Sequence, residues 1–156
     1  MRFTTKTEYG LVCLIYLARH QNTDHTVTVK EIVKSERFSA SYTEKILQKL
    51  RAAHIITSHQ GKQGGYELAR RPSQITLKEI IEALEGGATF DVSDHTFGVF
   101  CAPAIREKII CTHFSMCGLR PVWNKTKVLL DQFYGSVTLE MIAKAEPEVQ
   151  SLVKAG

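Results

Sequence analysis

Four times within the first 86 residues a Ser or Thr is followed three positions later by Glu and then by an apolar run: Thr5 with Glu8, Thr28 with Glu31, Ser41 with Glu44, and Thr76 with Glu79. Each has the form of a capping box, in which hydroxyl and carboxylate satisfy orphan amide donors in the first turn of a helix. Four helix starts so close together leave little room for anything but short helices. Leu11, Leu14, Ile15 and Ala18 give the first helix a buried face, as do Val29, Ile32 and Val33 for the second and Ile46, Leu47 and Leu50 for the third. Only residues 35–40 separate the second helix from the third, which predicts a tight helix-turn-helix.

A different texture follows. Ile55, Ile56 and Thr57 suit a strand, Gly61, Gly64 and Gly65 a turn, and Tyr66, Glu67 and Leu68 a returning strand, so a β-hairpin is expected. The fourth helix, 77–85, should stop at Gly86 and Gly87. Helix, helix, turn, helix, hairpin is the order of a winged helix-turn-helix, and the expected fold is mainly α. Residues 1–86 then form the winged unit, 87–120 a cysteine-containing loop, and 121–156 a last helix and tail. That helix is expected to begin at Pro121 and to carry an apolar stripe of Val122, Trp123, Val128, Leu129, Leu130 and Phe133. Nothing obvious in the chain covers the stripe, so a homodimer is expected, with packing back on its own domain as the alternative.

Charge narrows the partner. The net of +4 lies wholly in residues 1–86, which hold thirteen Lys and Arg against nine Asp and Glu, while the remainder holds seven of each. Such an excess suits a polyanion. The apolar run from Gly10 to Ala18 is too short to span a membrane, and no signal-peptide pattern follows it, so a cytoplasmic protein is expected.

An α-helix fits the major groove of B-DNA, where residues of its N-terminal part read base edges and basic residues beyond them neutralise phosphate. The third helix offers Tyr42, Thr43, Glu44, Lys45, Gln48, Lys49 and Arg51 away from its apolar face, although a solvated helix face has the same composition. In the hairpin, glycines permit close backbone approach and Lys62 supplies a cationic tip; a plain surface turn is the alternative reading. Phosphate contacts are expected from Arg2, Thr4, Lys49, Arg51 and Lys62, and base contacts from Ser41, Tyr42 and Glu44, with Ser39, Lys45, Gly64 and Gly65 beside them. Glu44 can accept from cytosine N4, or it caps the helix.

The cysteines are too sparse for a disulfide scaffold. Cys13 stands alone in a helical pattern, whereas Cys101, Cys111 and Cys117 are separated by nine and then five residues. Thiolates in that grouping suit an iron–sulfur cluster or zinc, with His113 and His95 near enough to join a zinc set; reduced loop thiols are the plain reading. A catalytic cysteine paired with His113 finds no further support, since no phosphate loop, nucleophile elbow or dinucleotide fingerprint is present.

The opening Met1-Arg2-Phe3-Thr4 with Tyr9, the segment Ser39-Ala40-Ser41-Tyr42 running to Arg51, the wing from Gly61 to Tyr66, and Ile75-Thr76-Leu77 with Glu79-Ile80-Ile81 resemble the Rrf-two family of bacterial transcription regulators, which includes IscR-like and NsrR-like members. The resemblance covers nearly the whole chain. It implies a homodimer whose winged helices read a palindromic operator, a long helix crossing between subunits and, in many members, a two-iron or four-iron cluster held by three cysteines, here Cys101, Cys111 and Cys117. An acidic residue at the position of Glu8 completes the cluster across the dimer in some relatives, so Glu8 is either that ligand or the carboxylate of its capping box. The chain departs from IscR-like members at Arg120, where they carry a histidine, and at Glu36, where one redox-sensing relative ligates through histidine. The resemblance implies a switch in which a change at the cluster shifts the crossing helix and the spacing of the recognition helices, which must lie about 34 Å apart to meet successive half-sites.

Overall fold

The structure, a computed structural model, describes residues 4–21, 26–61, 64–85, 118–144 and 150. Its elements run α1 (Thr5–Arg19), α2 (Val29–Glu36), α3 (Ala40–Ala52), β1 (Ile56–His59), β2 (Gly65–Leu68), a 3-10 turn (Pro72–Gln74), α4 (Leu77–Glu85), α5 (Leu119–Ser136) and α6 (Leu139–Ile142). Two of the four expected capping boxes form. The Thr28 amide donates to Glu31 Oε2 at 2.7 Å while Thr28 Oγ1 accepts from the Glu31 amide at 3.3 Å. Thr76 and Glu79 repeat the pattern at 2.9 and 3.2 Å.

The other two do not form, because the helices begin earlier than those boxes require. Thr4 is the N-cap of α1, so Glu8 falls beyond the third helical position from which a carboxylate reaches back. At α3 the cap is Ser39. The cause lies in the turn: Arg37 takes a left-handed φ of 56° and redirects the chain, and Phe38 stacks on Tyr9 with ring centres 3.9 Å apart. Ser39 is thereby left extended at the helix mouth. Thr43, expected on the open face, is buried, and its hydroxyl donates to the Ser39 carbonyl at 2.9 Å.

The core joins α1, α3 and α4 through Leu14, Leu17, Ile46, Leu47, Leu50, Ile80 and Leu84, with Ile32 closing it from α2. On α1 the fully buried positions are Thr7, Gly10, Cys13, Leu14 and Leu17, while Leu11, Ile15 and Ala18 are only half-buried. Gly10 explains the rotation: a Cβ there would stand 2.3 Å from Leu84 Cδ1, so α4 packs against bare backbone.

The hairpin pairs Ile56 with Leu68 and His59 with Gly65. A third strand segment joins its edge, since Val27 and Tyr66 exchange backbone hydrogen bonds of 3.0 and 2.7 Å. That approach is the reason for Gly65, whose Cβ would meet Thr26 Oγ1 at 2.6 Å and the Val27 carbonyl at 2.7 Å.

Helix α5 begins at Leu119, two residues before Pro121. One of its faces is covered within the chain: Tyr134 and Leu130 pack on Ile81 and Leu77 of α4, and Asp131 pairs with Lys127 and, at 3.3 Å, with Lys78. Leu119, Val122, Val128, Leu129 and Phe133 are exposed. After α5 the chain returns to the winged unit. The Leu77 amide donates to the Val137 carbonyl and the Leu139 amide to the Ile75 carbonyl, each at 2.8 Å, and Leu139 is fully buried in the main core. The expected helix stop at Gly86 and Gly87 and the loop from 88 to 98 lie outside the described residues.

Candidate nucleic-acid interface

Burial of Thr43, Ile46, Leu47 and Leu50 turns the opposite side of α3 to solvent, where Ser41, Glu44, Lys45 and Gln48 share one face with Lys49 and Arg51 further along. This is the geometry a groove-reading helix needs: short polar groups in the N-terminal half, cations beyond. Among the described residues Glu44 makes no capping bond, and its carboxylate is exposed. Ser39 and Ser41 stand exposed at the helix mouth, where first-turn amides lack helical partners and favour a phosphate oxygen.

Tyr42 has a second role. It is half-buried and meets Tyr9 edge to face at 5.2 Å, which extends the Phe38–Tyr9 stack into a three-ring brace between α1 and α3. The brace fixes the angle of the recognition helix. Phe38 escapes sequence reasoning. The only signal for it is an aromatic residue directly ahead of Ser39-Ala40-Ser41, and nothing local pairs that residue with Tyr9 far back along the chain.

Arg51 also does more than expected. Its Nη1 donates to Ser58 Oγ at 3.1 Å, tying the end of α3 to β1. On the open side of the hairpin His59 Nε2 and Glu67 Oε1 lie 2.7 Å apart, with Thr57 Oγ1 donating to the same carboxylate at 3.4 Å. The Arg51 bond lies on the face of β1 that carries buried Ile56, and the His59, Thr57 and Glu67 group lies on the opposite, exposed face. Gly64, like Gly65, is required by the hairpin itself, because its Cβ would stand 2.7 Å from the His59 carbonyl. Arg2 and Lys62 lie outside the described residues.

Thr4, expected to face phosphate, donates its hydroxyl to Glu85 Oε1, and the buried Thr7 hydroxyl donates to the same oxygen. Lys6 Nζ stands 3.6 Å from Glu85 Oε2. Burial opposes the charge on Glu85, but the bonds from Thr4, Thr7 and Lys6 outweigh it and hold the carboxyl below its ordinary range. Glu8, one turn after Thr4, is exposed and makes neither a capping bond nor an ion pair among the described residues.

Cys101, Cys111 and Cys117 lie outside the described residues. Cys13 is fully buried and its thiol is pushed up to about 12, by burial first and then by the charge of Glu36, so it is protonated at neutral pH. Among the described residues no group of three or more His, Cys, Asp and Glu side chains is placed to hold a metal ion. No helix among them is long and apolar enough to cross a membrane.

A helix-turn-helix whose third helix stands open beside a two-stranded wing defines a winged-helix DNA-binding protein. The chain belongs to the Rrf2 family, whose model, described as an iron-dependent transcriptional regulator, matches residues 3–145. It is 29% identical over 139 residues to the protein rrf2 of Nitratidesulfovibrio vulgaris, covering 89% of this chain and 85% of that one. Among solved structures it is similar to CymR of B. subtilis, the global cysteine regulator, at 29% identity with a TM-score of 0.66 over 92% of this chain and 96% of that one. It is also similar to T. potens IscR, at 28% identity with a TM-score of 0.62 over 100% of this chain and 89% of that one. The protein is therefore a DNA-binding transcription regulator and not an enzyme.

Proposed function

We propose that this regulator binds a palindromic operator as a homodimer in the cytoplasm and that an iron–sulfur cluster, held by Cys101, Cys111, Cys117 and Glu8, sets its DNA affinity. The observation that carries this finer reading is the state of Glu8: an exposed carboxylate at the start of α1 that neither caps its helix nor pairs with a cation among the described residues. Three thiolates suit iron and sulfide, and an oxygen ligand completes such a set with a more labile fourth position. When bound, the cluster supplies a centre sensitive to oxidant, nitric oxide or iron supply.

The division of labour follows the chain. Residues 1–86 read DNA, 87–120 carry the thiolates, and the exposed face of α5 within 121–156 supplies the dimer contact. On the DNA side, Ser41, Tyr42 and Glu44 reach base edges; Arg2, Lys49, Arg51 and Lys62 meet phosphate, with Ser39, Lys45, Gly64 and Gly65 beside them. Thr4 contributes by anchoring the chain in front of α1. On the dimer side, the exposed Val122, Val128, Leu129 and Phe133 of α5 form an apolar surface that a second copy of the helix would cover.

Purification without oxygen, followed by visible absorption and assay of iron, acid-labile sulfide and zinc per chain, tests the reading. Iron with sulfide is expected, and Cys111→Ala should abolish both while leaving the helical signal unchanged. Absence of iron and sulfide from the wild-type protein would overturn it.

The likeness to CymR, described as a cysteine regulator, favours a second reading in which the cysteines hold structural zinc or switch as thiols without a cluster. Stoichiometric zinc, or a metal-free protein whose DNA affinity follows thiol oxidation, is the result that reading expects.

A further inference from the structure

A cleft of about 610 Å³ opens where the end of α1, the 3-10 turn and α6 meet, and none of its lining residues belongs to α2, α3 or the hairpin. Cavities that hold small molecules run from roughly 300 to 1,000 Å³. Its walls are held by hydrogen bonds. The Leu139 amide donates to the Ile75 carbonyl and the Gln74 amide to the Arg71 carbonyl, each at 2.8 Å, so the turn and the start of α6 keep a fixed spacing. Arg19 Nε donates to the Ala143 carbonyl at 3.0 Å, which joins α1 to the end of α6.

Arg19, Arg71 and Lys144 line the cleft with Glu140 as the one carboxylate beside them, and among the described residues none of the four forms an ion pair. The surplus is two positive charges. Because the Arg19 bond uses only Nε, the two terminal nitrogens of its guanidinium keep their donors, and such a fork meets a carboxylate or phosphate in two parallel bonds. Half-buried Ala18, Pro72 and Ala143 add apolar surface to the same cleft.

We propose that this cleft binds a small organic dianion, either a dicarboxylate or a phosphate monoester. Its charge matches the surplus, and the apolar surface takes a carbon body, which inorganic phosphate lacks. A ligand seated there touches α1, the turn that follows the wing and the helix that follows α5 at once. The cleft shares no residue with the thiolates, Glu8 or the DNA-reading face, so it stands whether or not the cluster reading holds. A contact with the DNA backbone is the competing use of three exposed cations, but it leaves the cavity and the carboxylate of Glu140 without a purpose.

The test is calorimetric titration of the full-length protein at low salt with succinate and with glycerol phosphate, beside acetate and inorganic phosphate. The two organic dianions are expected to bind with a Kd of about 1 mM or tighter, and acetate and inorganic phosphate about tenfold more weakly. Succinate ahead of glycerol phosphate makes the ligand a dicarboxylate, and the reverse order makes it a phosphate monoester. Arg71→Gln and Lys144→Gln remove side chains that bond to nothing among the described residues, so the fold should persist while binding weakens about tenfold in each. Glu140→Gln should tighten binding, because it removes the opposing charge, a gain that a purely structural role does not produce.

Failure of both organic dianions to bind at about 10 mM, ten times the expected Kd, would overturn the proposal. So would unchanged binding in Arg71→Gln and Lys144→Gln, or acetate and inorganic phosphate that bind as tightly as the dianions. A wild type that binds no dianion, with Arg71→Gln and Lys144→Gln lowering the salt slope of duplex binding, would assign the cations to the DNA backbone instead.

Discussion

Single residues in this protein are explained by the atoms that stand closest to them. Gly10 is the sharpest case: a methyl placed there would collide with the fully buried Leu84 side chain, which would have to shift within a closed core. Gly10→Ala is expected to cost about 1–3 kcal/mol of stability, read as a lower urea midpoint with an unchanged slope. On the recognition face the roles separate by chemistry. Glu44→Ala should relax base preference at one operator position, because its carboxylate is committed to no cap, whereas Lys49→Ala should weaken all duplexes alike. Binding to a panel of single-base operator variants distinguishes the two, and a uniform loss for Glu44→Ala would remove it from base reading. At this scale the sequence was legible where a local pattern decided the outcome, as at Thr28 and Thr76. It misled at Thr5 and Ser41, where Arg37 and Phe38, or the docking of Thr4 on Glu85, moved the helix start by one or two residues. Those contacts join residues far apart in the chain and leave no periodic trace.

Between elements, ionic contacts hold α4 to its neighbours. Asp131 of α5 faces Lys127 and Lys78; burial opposes its charge, and the bonds to those lysines outweigh burial and keep its carboxyl below the ordinary 3.8. Glu79 is held below 4.5 in the same manner, with burial outweighed by the Thr76 amide and hydroxyl and by Arg70. For a lowered carboxyl the folded form binds fewer protons than the unfolded chain near the ordinary value. Their stabilisation is therefore complete above about pH 5 and falls away as pH drops through the lowered values. Asp131→Asn should flatten the acid limb of a stability-against-pH curve and weaken the hold of α5 on α4, with little change at neutral pH beyond the loss of partly exposed ion pairs. Helix α5 was legible as an amphipathic helix from its apolar spacing. Which part of that stripe is covered was not, because Leu130 and Tyr134 are distinguished from Leu129 and Phe133 only by the position of α4. The return of Leu139 to the core was equally hidden, since so short a helix carries too little pattern to place it.

For the whole molecule, the winged architecture was readable in the order of its helices and glycines, and the family match over residues 3–145 agrees with it. The candidate site was only half readable: the polar face of α3 follows from periodicity, while the brace of Tyr9, Phe38 and Tyr42 and the tie from Arg51 to Ser58 need three dimensions. The exposed face of α5 makes its own prediction. With that face as the proposed dimer contact, Leu129→Glu should shift the protein from dimer to monomer in light scattering and reduce affinity for a palindromic duplex far more than for a single half-site. Equal losses on both would mean that the face serves another purpose.

The most direct test of the proposed cluster is the affinity of anaerobically purified protein for a duplex selected by the wild type from a random-sequence pool, measured before and after treatment with an iron chelator. The account predicts a change of roughly tenfold or more, about 1.4 kcal/mol, that reverses when iron and sulfide are restored and is absent from Cys111→Ala. An affinity indifferent to iron in the wild-type protein would contradict it.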